Sequence, residues 1–340
     1  MATIRDVAHE AGVSVQTVSN VLHERSFVGP EIQSRVRAAI AQLNYHPNQA
    51  ARSMRSRLNQ TLGFLLSDPN PRGLADPFYG EVLAGIAEVA RAQEFGLLID
   101  LLPSDRPLQA ADFLRPFQTR RIDAAIIFVH GVASAQAYLL DELAQANVLF
   151  AVLSRQIPGA MVYSVLAADY EGAFVATQHL LGKGHRRVGF IDSTQRWPAV
   201  EERWRGYRTA MQLGGLDAHI TAFSSPDWTA EGGATAARRL LDLPAQQRPT
   251  ALVAGSDLLA VGVIQALRAH GIRVPVDMAV CGFDDFEFAR YSDPPLTTVR
   301  LPAFEMGCRA AELLLGHLHG KPAPERHHVL PTELIVRQST

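Results

Sequence analysis

Residues 3–22, TIRDVAHEAGVSVQTVSNVL, carry the pattern that decides the fold at the N-terminal end of this chain. Thr3 can cap a short helix, and Gly12 can supply a left-handed exit from it. Ser14 can cap a second helix that begins at Val15. Two short helices around a glycine turn predict a helix-turn-helix.

The second helix has two faces of different character. At about 100° per residue, one side collects packing residues and the other collects side chains that are free to contact a partner. The packing set is Thr17, Val18, Val21 and Leu22, and the free set is Val15, Gln16, Ser19 and Asn20. Gln and Asn can bond adenine bidentately in the major groove, and a Val methyl can lie against a thymine methyl. The pattern therefore favours a DNA-reading helix, although an ordinary surface helix with a polar face would show it too.

A third helix is predicted from Pro30 through Val36, Ile40 and Leu43, closing a small three-helix core. Pro47 then separates this helix from the segment that follows.

The segment after Pro47 suits a DNA minor groove. Asn48 can cap a short helix from Gln49 to about Arg55, in which Met54 is the single large apolar residue. Arginines flank this methionine at positions 52, 55 and 57. Met can enter a base step while the guanidinium groups meet phosphates. The alternative is an arginine-rich linker that contains one methionine.

Charge is distributed unevenly along the chain. Residues 1–60 hold seven arginines and four acids, a net charge of +3, and the other 280 residues hold 25 basic and 30 acidic groups, a net charge of −5. A basic head on an acidic body indicates local phosphate contact rather than a generally adhesive polycation. With 340 residues, 47% hydrophobic and 19% charged, the chain is long enough for two or three globular domains.

The two cysteines, Cys281 and Cys308, are not in a metal-binding spacing, and no apolar run of about eighteen residues occurs. The N-terminus has no signal-peptide core. We therefore expect a cytoplasmic protein with reduced thiols, no metal, no cofactor and no contact with a membrane. No catalytic motif is evident: G-x-G-x-x-G, the P-loop and H-E-x-x-H are all absent.

From Thr61 onward, short apolar runs alternate with helical patterns. The predicted strands lie at 61–66, 96–102, 123–129, 148–153, 187–192, 251–254 and 278–283, and two of the predicted helices at 79–94 and 170–181. This rhythm predicts an α/β fold with parallel sheets covered on both faces. A single sheet that contained all of these strands would be long, so we expect two similar lobes instead.

Dispersed motifs give the chain a resemblance to a known family. They are AGVSVQTVSNVL, LNYHPNQAARSM, GHRRVGFID, ERWRGY, GSDLLAVGV, VPVDMAVCGFDDFEFA and PPLTTV. In this order and at about this spacing, they resemble the lactose-repressor (LacI/GalR) family of bacterial transcription regulators. The resemblance implies a headpiece at 1–46, a hinge helix and linker at 47–60, and an effector-binding and dimerisation domain at 61–340.

The resemblance also implies two doubly wound, parallel-sheet lobes of the type I architecture of periplasmic binding proteins. We place the three crossings between lobes near 155–161, 285–292 and 318–323. The first lobe would then comprise about 61–157 and 290–319, and the second about 160–286 and 322–337.

Ligands of doubly wound sheets bind outside the carboxyl ends of the strands, where this sequence is polar. Carboxylates and hydroxyls beside aromatic rings are typical of sugar sites. The resemblance assigns ligand contact to Arg203 and Asp284, matches Trp228 to a sugar-stacking aromatic, and puts Asp257 in the family's Asn-Asp position. Structural ion pairs are the alternative for the charged pair, and lobe packing or exposure for the rest. The candidate ligand residues are Asp68, Phe78, Tyr79, Ser154, Arg203, Trp228, Ser256, Asp257 and Asp284.

The candidate DNA-binding residues are Thr3, Arg5, Ser14, Val15, Gln16, Thr17, Ser19, Asn20, Arg25, Asn48, Ala51, Arg52, Met54 and Arg55. Asn20 stands where many members of the family have Arg, which could pair with guanine, so the operator is expected to differ there. Met54 replaces the usual hinge Leu and Ser256 the usual Asn, and the second replacement weakens any transfer of ligand identity.

Together these features predict a repressor that binds a palindromic operator as a homodimer and is released when a carbohydrate binds between the lobes. The dimer interface is expected to include the helix from Tyr79 and the segment PAFEMGCRAAELLLGHL, whose apolar stripe core packing would explain equally well. A co-repressor such as a purine would reverse the sign of the response. A solute-binding protein would explain residues 61–340 but not the head.

Overall fold

The computed structural model describes residues 2–22, 28–45, 58–68, 73–103, 106–129, 133–156, 162–195 and 197–340. The chain divides into two compact units, Met1–Gln60 and Thr61–Thr340, here named the head and the body.

The described helices of the head begin and end where local signals predict. They are α1 (Ile4–Glu10), α2 (Val15–Leu22) and α3 (Pro30–Gln42). Thr3 caps α1 in a capping box, in which the Asp6 carboxylate accepts from the Thr3 backbone N–H at 2.7 Å. Gly12 has φ of +63°, and the Ser14 hydroxyl accepts from the Thr17 backbone N–H at 3.0 Å. The predicted caps and the glycine turn are confirmed.

Valines form the centre of the head. Val7, Val18, Val21 and Val36 are buried together, with alanines of α1 and α3 around them. Nη2 of Arg35 donates to the carbonyl of Ala11 at 2.5 Å. This bond ties α3 to the turn between α1 and α2.

The body contains two six-stranded sheets. The first sheet comprises β1 (Thr61–Ser67), β2 (Gly96–Leu101), β3 (Ala124–Val129), β4 (Phe150–Leu153), β5 (Tyr163–Ala167) and β11 (His327–Leu330). The second comprises β6 (Val188–Ser193), β7 (Thr221–Ser225), β8 (Ala251–Ala254), β9 (Ala279–Asp284), β10 (Thr297–Arg300) and β12 (Glu333–Ile335). The strand orders are β11-β5-β4-β3-β1-β2 and β12-β10-β9-β8-β6-β7. Of the described strand pairs, β10 with β12 is antiparallel and the others are parallel. The predicted parallel α/β fold is confirmed.

The strand pairing corrects the predicted lobe boundaries. β5 pairs with β4, so the first crossing follows Ala167 rather than lying near 155–161. β10 pairs with β9, so the second follows Arg300 rather than lying near 285–292. The third lies between β11 and β12, not near 318–323. All three predictions were too early because the sheet that a short strand joins depends on remote partners, which local periodicity does not reveal.

Helices cover both sheets. The α-helices of the body are α4 (Pro77–Ala92), α5 (Ala110–Gln118), α6 (Ala133–Gln145), α7 (Asp169–Gly182), α8 (Pro198–Leu213), α9 (Ala230–Leu241), α10 (Asp257–Ala269), α11 (Glu287–Tyr291) and α12 (Ala303–Leu318). The helices predicted at 79–94 and 170–181 are α4 and α7. The apolar stripe of α12 through Met306, Ala310 and Leu314 is buried in the core. Core packing therefore accounts for that stripe, which leaves it unable to serve as an exposed interface.

Candidate functional site

The outer face of α2 carries three of the four side chains predicted to be free. Val15 and Gln16 are exposed, and Asn20 is half-buried. Ser19 is only 6% exposed, so its prediction as a free side chain was wrong. The reason is that α2 packs against both α1 and α3, which makes its buried stripe wider than one helix face. Thr17, predicted to pack, is half-buried.

Three further candidates of the head lie outside α2. Thr3, Arg5 and Ser14 are all exposed, although Thr3 and Ser14 also cap α1 and α2. Six other candidate DNA contacts lie outside the described residues, namely Arg25, Asn48, Ala51, Arg52, Met54 and Arg55. The proposed hinge helix therefore stays a prediction.

A cleft lies between the two lobes of the body, at the carboxyl ends of their strands. Its described lining is formed by Asp76, Phe78, Tyr79, Phe128, Ser154, Trp197, Ala199, Arg203, Trp228, Ser256, Leu258, Asp284 and Leu301. Seven of the nine predicted ligand residues are among them, and Asp68 and Asp257 are not.

The first lobe contributes an aromatic wall. The rings of Phe78, Tyr79 and Phe128 have centroids 5.3 to 5.5 Å apart in tilted or edge-to-face geometry. Asp76 caps α4 by accepting from the backbone N–H of Phe78 at 2.9 Å, which orients the start of this wall. Such ring clusters bury a large apolar area with defined geometry. The wall therefore offers an apolar aromatic surface beside a carboxylate.

Asp68 lies behind this wall. Its carboxylate accepts from the hydroxyl of Tyr79 at 3.2 Å. Burial, together with the charges of Asp68 and Asp76, raises the pKa of Tyr79 well above its ordinary value. Asp68 thus holds Tyr79 in place instead of lining the cleft.

The second lobe contributes Arg203, the centre of a buried polar network. Its Nε donates to Asp169 at 2.7 Å, and its Nη1 donates to the carbonyl of Gly255 at 2.6 Å. The guanidinium carbon stands 3.8 Å from the centroid of the Phe283 ring. Arg203 therefore both lines the cleft and forms a structural ion pair, so the two roles considered for it coexist.

Asp284 lies 3.7 Å from Nη1 of Arg203, at the end of β9 and with φ of +123°. Burial raises the pKa of Asp284 well above its ordinary value, and the charges of Asp257 and Asp76 add to the rise while Arg203 opposes it. Its carboxyl group therefore keeps a proton to higher pH than an exposed aspartate, and it is placed to exchange hydrogen bonds with hydroxyl groups.

Two tryptophans form a second aromatic surface. The rings of Trp197 and Trp228 have centroids 4.5 Å apart, and Nε1 of Trp228 donates to the carbonyl of Gln195 at 2.9 Å. The hydroxyl of Ser256, also in the cleft lining, accepts from the backbone N–H of Leu259 at 3.2 Å. Ser256 therefore caps α10 as well as facing the cleft.

Asp257 is fully buried below the cleft. It accepts from the Thr298 hydroxyl at 2.5 Å and from the Phe286 backbone N–H at 3.2 Å. Burial raises its pKa to about 7. The prediction that it contacts ligand is not supported, because the first turn of α10 directs this side chain toward β9 and β10.

The sequence analysis missed six lining residues, namely Asp76, Phe128, Trp197, Ala199, Leu258 and Leu301. Two of them carry a readable signal, since Asp76 and Trp197 each precede a proline at the first position of a helix. Leu301 follows β10, a strand that was not predicted. Ala199 and Leu258 have no chemistry that marks them.

Among the described residues, no group of three or more His, Cys, Asp or Glu side chains is arranged to hold a metal ion. No described helix is long and apolar enough to cross a membrane.

Comparison with known proteins gives the family. Residues 3–48 match the profile of bacterial regulatory proteins of the lacI family, and residues 177–340 match a periplasmic binding protein-like domain. The transcriptional repressor PurR of Photobacterium profundum is 31% identical over 340 residues, covering 100% of this chain and 98% of PurR. The chain belongs to the lacI family. This lacI-family protein is a ligand-responsive transcriptional repressor with a helix-turn-helix head.

Two solved structures resemble the whole lacI-family chain. The complex of the transcriptional regulator CelR with cellobiose is 30% identical, covers 100% of both chains and has a TM-score of 0.73. The Lac repressor dimer bound to operator and the anti-inducer ONPF is 24% identical, covers 100% of this chain and 99% of that one, and has a TM-score of 0.85. The second likeness shows the fold. The curated relatives are transcriptional regulators rather than enzymes.

Proposed function

We propose that this repressor binds a palindromic operator as a homodimer and releases it when a neutral sugar or sugar derivative enters the interlobe cleft. The observation that carries the proposal is the composition of the cleft, in which two aromatic surfaces flank carboxyl and hydroxyl groups. Sugar hydroxyls can bond Asp76, Asp284 and Ser154, while the apolar face of the ring lies on an aromatic side chain. The CelR complex, whose ligand is cellobiose, supports this ligand class.

The charges of the cleft favour a neutral ligand. Its charged lining residues in the described part of the chain are Asp76, Asp284 and Arg203, and Arg203 is already paired with Asp169. An anionic ligand would meet the carboxyl groups of Asp76 and Asp284 beside an arginine whose charge is already balanced, so these lining residues supply little cationic charge to attract it. We therefore expect an unphosphorylated sugar to bind more tightly than its phosphate ester.

A purine acting as co-repressor is the second candidate. The same aromatic surfaces would hold a flat base, and the relative PurR is 31% identical over the whole chain. The two candidates predict opposite responses, because a sugar inducer weakens operator binding and a co-repressor strengthens it. In either case the coupling is reciprocal, so operator DNA changes ligand affinity by the same factor.

Two arguments support the proposed homodimer, namely an exposed strand edge and the symmetry of a palindromic operator. β2 forms an edge of the first sheet, and its Ile99 and Leu101 are 46% and 55% exposed. Apolar side chains on an open edge are suited to pairing with another chain. One head reads a half-site, and a two-fold dimer matches a palindrome. Sedimentation should give a mass near twice 37.1 kDa.

The test is a gel-shift assay with DNA from upstream of the protein's own gene, run with panels of sugars, sugar phosphates and purines. We expect a specific shift that a neutral sugar abolishes. A shift that only a purine strengthens would support the purine co-repressor. Absence of a specific shift under every condition would contradict the proposed operator binding.

Two variants link that response to the cleft. Trp228→Ala removes one aromatic surface and should weaken ligand affinity about tenfold, since ring contacts contribute on the order of 1 kcal/mol beyond their area. Trp228→Phe keeps an aromatic face and should retain most of the affinity. Equal affinities of wild type and Trp228→Ala would remove this surface from the ligand site.

A further inference from the structure

The outer face of α2 holds a hydrogen bond between two side chains. Nε2 of Gln16 donates to Oδ1 of Asn20 at 3.1 Å, across one helical turn. Glutamine pairs with both aspartate and asparagine at this spacing, and aspartate can only accept, so glutamine is the donor in the common form of the pair. The direction found here agrees with that form.

The bond orients the amide of Asn20. Oδ1 faces Gln16, and because oxygen and nitrogen occupy different arms of the trigonal amide carbon, Nδ2 does not face Gln16. Nδ2 carries two N–H donors and no acceptor. With its acceptor engaged by Gln16, Asn20 has its donors left for a partner, although a freely rotating asparagine presents a donor and an acceptor equally well.

Gln16 keeps both kinds of group for its own contact. Its Oε1 is an acceptor, and the second N–H of Nε2 is not used in the bond to Asn20. Adenine offers the complementary N6–H donor and N7 acceptor in the major groove. Guanine instead offers two acceptors, N7 and O6, which match the donors of Asn20.

We propose that Gln16 and Asn20 act as one reading unit, in which Gln16 fixes Asn20 as a donor that selects guanine. The proposal rests on the proposed role of α2 as the DNA-reading helix. Under this proposal the replacement of arginine by Asn20 leaves the preferred base the same, contrary to the expectation from the sequence. Arginine is also a pure donor, so the same base is selected by a shorter side chain.

The experiment begins with selection of preferred half-sites from randomised palindromic DNA by the full-length wild type. The Asn20→Ala variant then identifies the base pair that Asn20 reads, because discrimination at that pair disappears. Affinities are measured for four operators that differ only there. The wild type should prefer guanine to adenine by about tenfold or more, as a good side-chain contact to a base provides.

Substitution of Gln16 tests the coupling. Gln16→Ala should lower the guanine preference at the base pair of Asn20 to less than about threefold. Gln16→Glu can only accept, so it should draw Nδ2 of Asn20 toward itself, turn Oδ1 outward and shift the preference toward adenine or cytosine, which offer donors. Ser34→Ala is the control, since Ser34 is exposed on α3 and is not among the candidate DNA contacts, and it should leave that preference unchanged.

Several outcomes would overturn the proposal. An unchanged guanine preference in Gln16→Ala would show that the two residues read independently, and a wild-type preference for adenine at the Asn20 pair would exclude the donor role. Failure of the wild type to select any DNA would instead contradict the role of α2. Circular dichroism should show equal helix content in all variants, because none of the substituted side chains is fully buried.

Discussion

The head and the body hold their candidate functional side chains in different ways. Gln16 in the head is exposed and is hydrogen-bonded to a neighbour on its own helix. Arg203 in the body is buried and binds Asp169 and Gly255, which belong to other segments of the chain. A buried charge must be paired, whereas an exposed amide can bond water. Function and stability are therefore separable on α2 and joined in the cleft.

The largest test of this contrast is Arg203→Ala. The substitution leaves the buried carboxylate of Asp169 without its partner, and removing one member of a buried ion pair costs about 3 to 5 kcal/mol. We expect urea unfolding to show a loss of that size and ligand titration to show no response, with the operator affinity of the folded fraction retained.

Arg205→Ala is the matched control on the same helix. Arg205 is 63% exposed and pairs with Glu202, so its loss should change the unfolding free energy by less than about 1 kcal/mol. Equal unfolding free energies of the two variants would show that Arg203 contributes no more to stability than an exposed arginine on the same helix. Adding Asp169→Asn to Arg203→Ala should recover part of the lost stability without restoring the ligand response.

The second test uses pH. The pKa of Asp257 is raised to about 7 by burial, from an ordinary value of 3.8. Between those values folding takes up a proton, so this group's contribution to the unfolding free energy falls as pH rises toward 7 and is constant above it. The expected slope is at most about 1.4 kcal/mol per pH unit. Asp257→Asn lacks this titration, so its stability relative to wild type should increase from pH 5 to pH 7.

Asp277→Asn provides the control for that slope. Asp277 is exposed, and hydrogen bonds from Arg273 lower its pKa to about 2, which is below the range of the measurement. The stability difference between Asp277→Asn and wild type should therefore stay constant from pH 5 to pH 8. Parallel pH profiles of wild type and Asp257→Asn would mean that Asp257 is ionised throughout.

Local chemistry explains how much of the head could be predicted. Thr3, Gly12 and Ser14 act on backbone groups within three residues, so their roles are legible in the sequence. Ser19 was misplaced because α2 is covered on two sides, by α1 and by α3, and the periodicity of a single helix does not show how wide its buried stripe is.

The cleft was predictable only in part, because it depends on sheet order. The rule that ligands bind after strand ends identified Ser154, Ser256 and Asp284. It also suggested Asp257, one residue further along, where the turn of a helix reverses the direction of the side chain. Leu301 could not be predicted from the sequence, since it follows β10, whose place in the sheet is set by pairing with β9.

The smallest expected effect is that of Gly12→Ala in the head. Gly12 has φ of +63°, and an added Cβ would lie 2.7 Å from Nη2 of Arg35, which ties α3 to this turn. A left-handed conformation costs an ordinary residue roughly 1 to 2 kcal/mol, so the head should open more readily and operator affinity should fall while ligand affinity is unchanged. Hydrogen exchange across α1 and α2, with operator and ligand titrations, measures this. Gly29→Ala is the control, because Gly29 has φ of −61° and nothing within 4 Å of its added Cβ, and it should match wild type. A loss of ligand affinity in Gly12→Ala would show that stability in the head and function in the body are not independent.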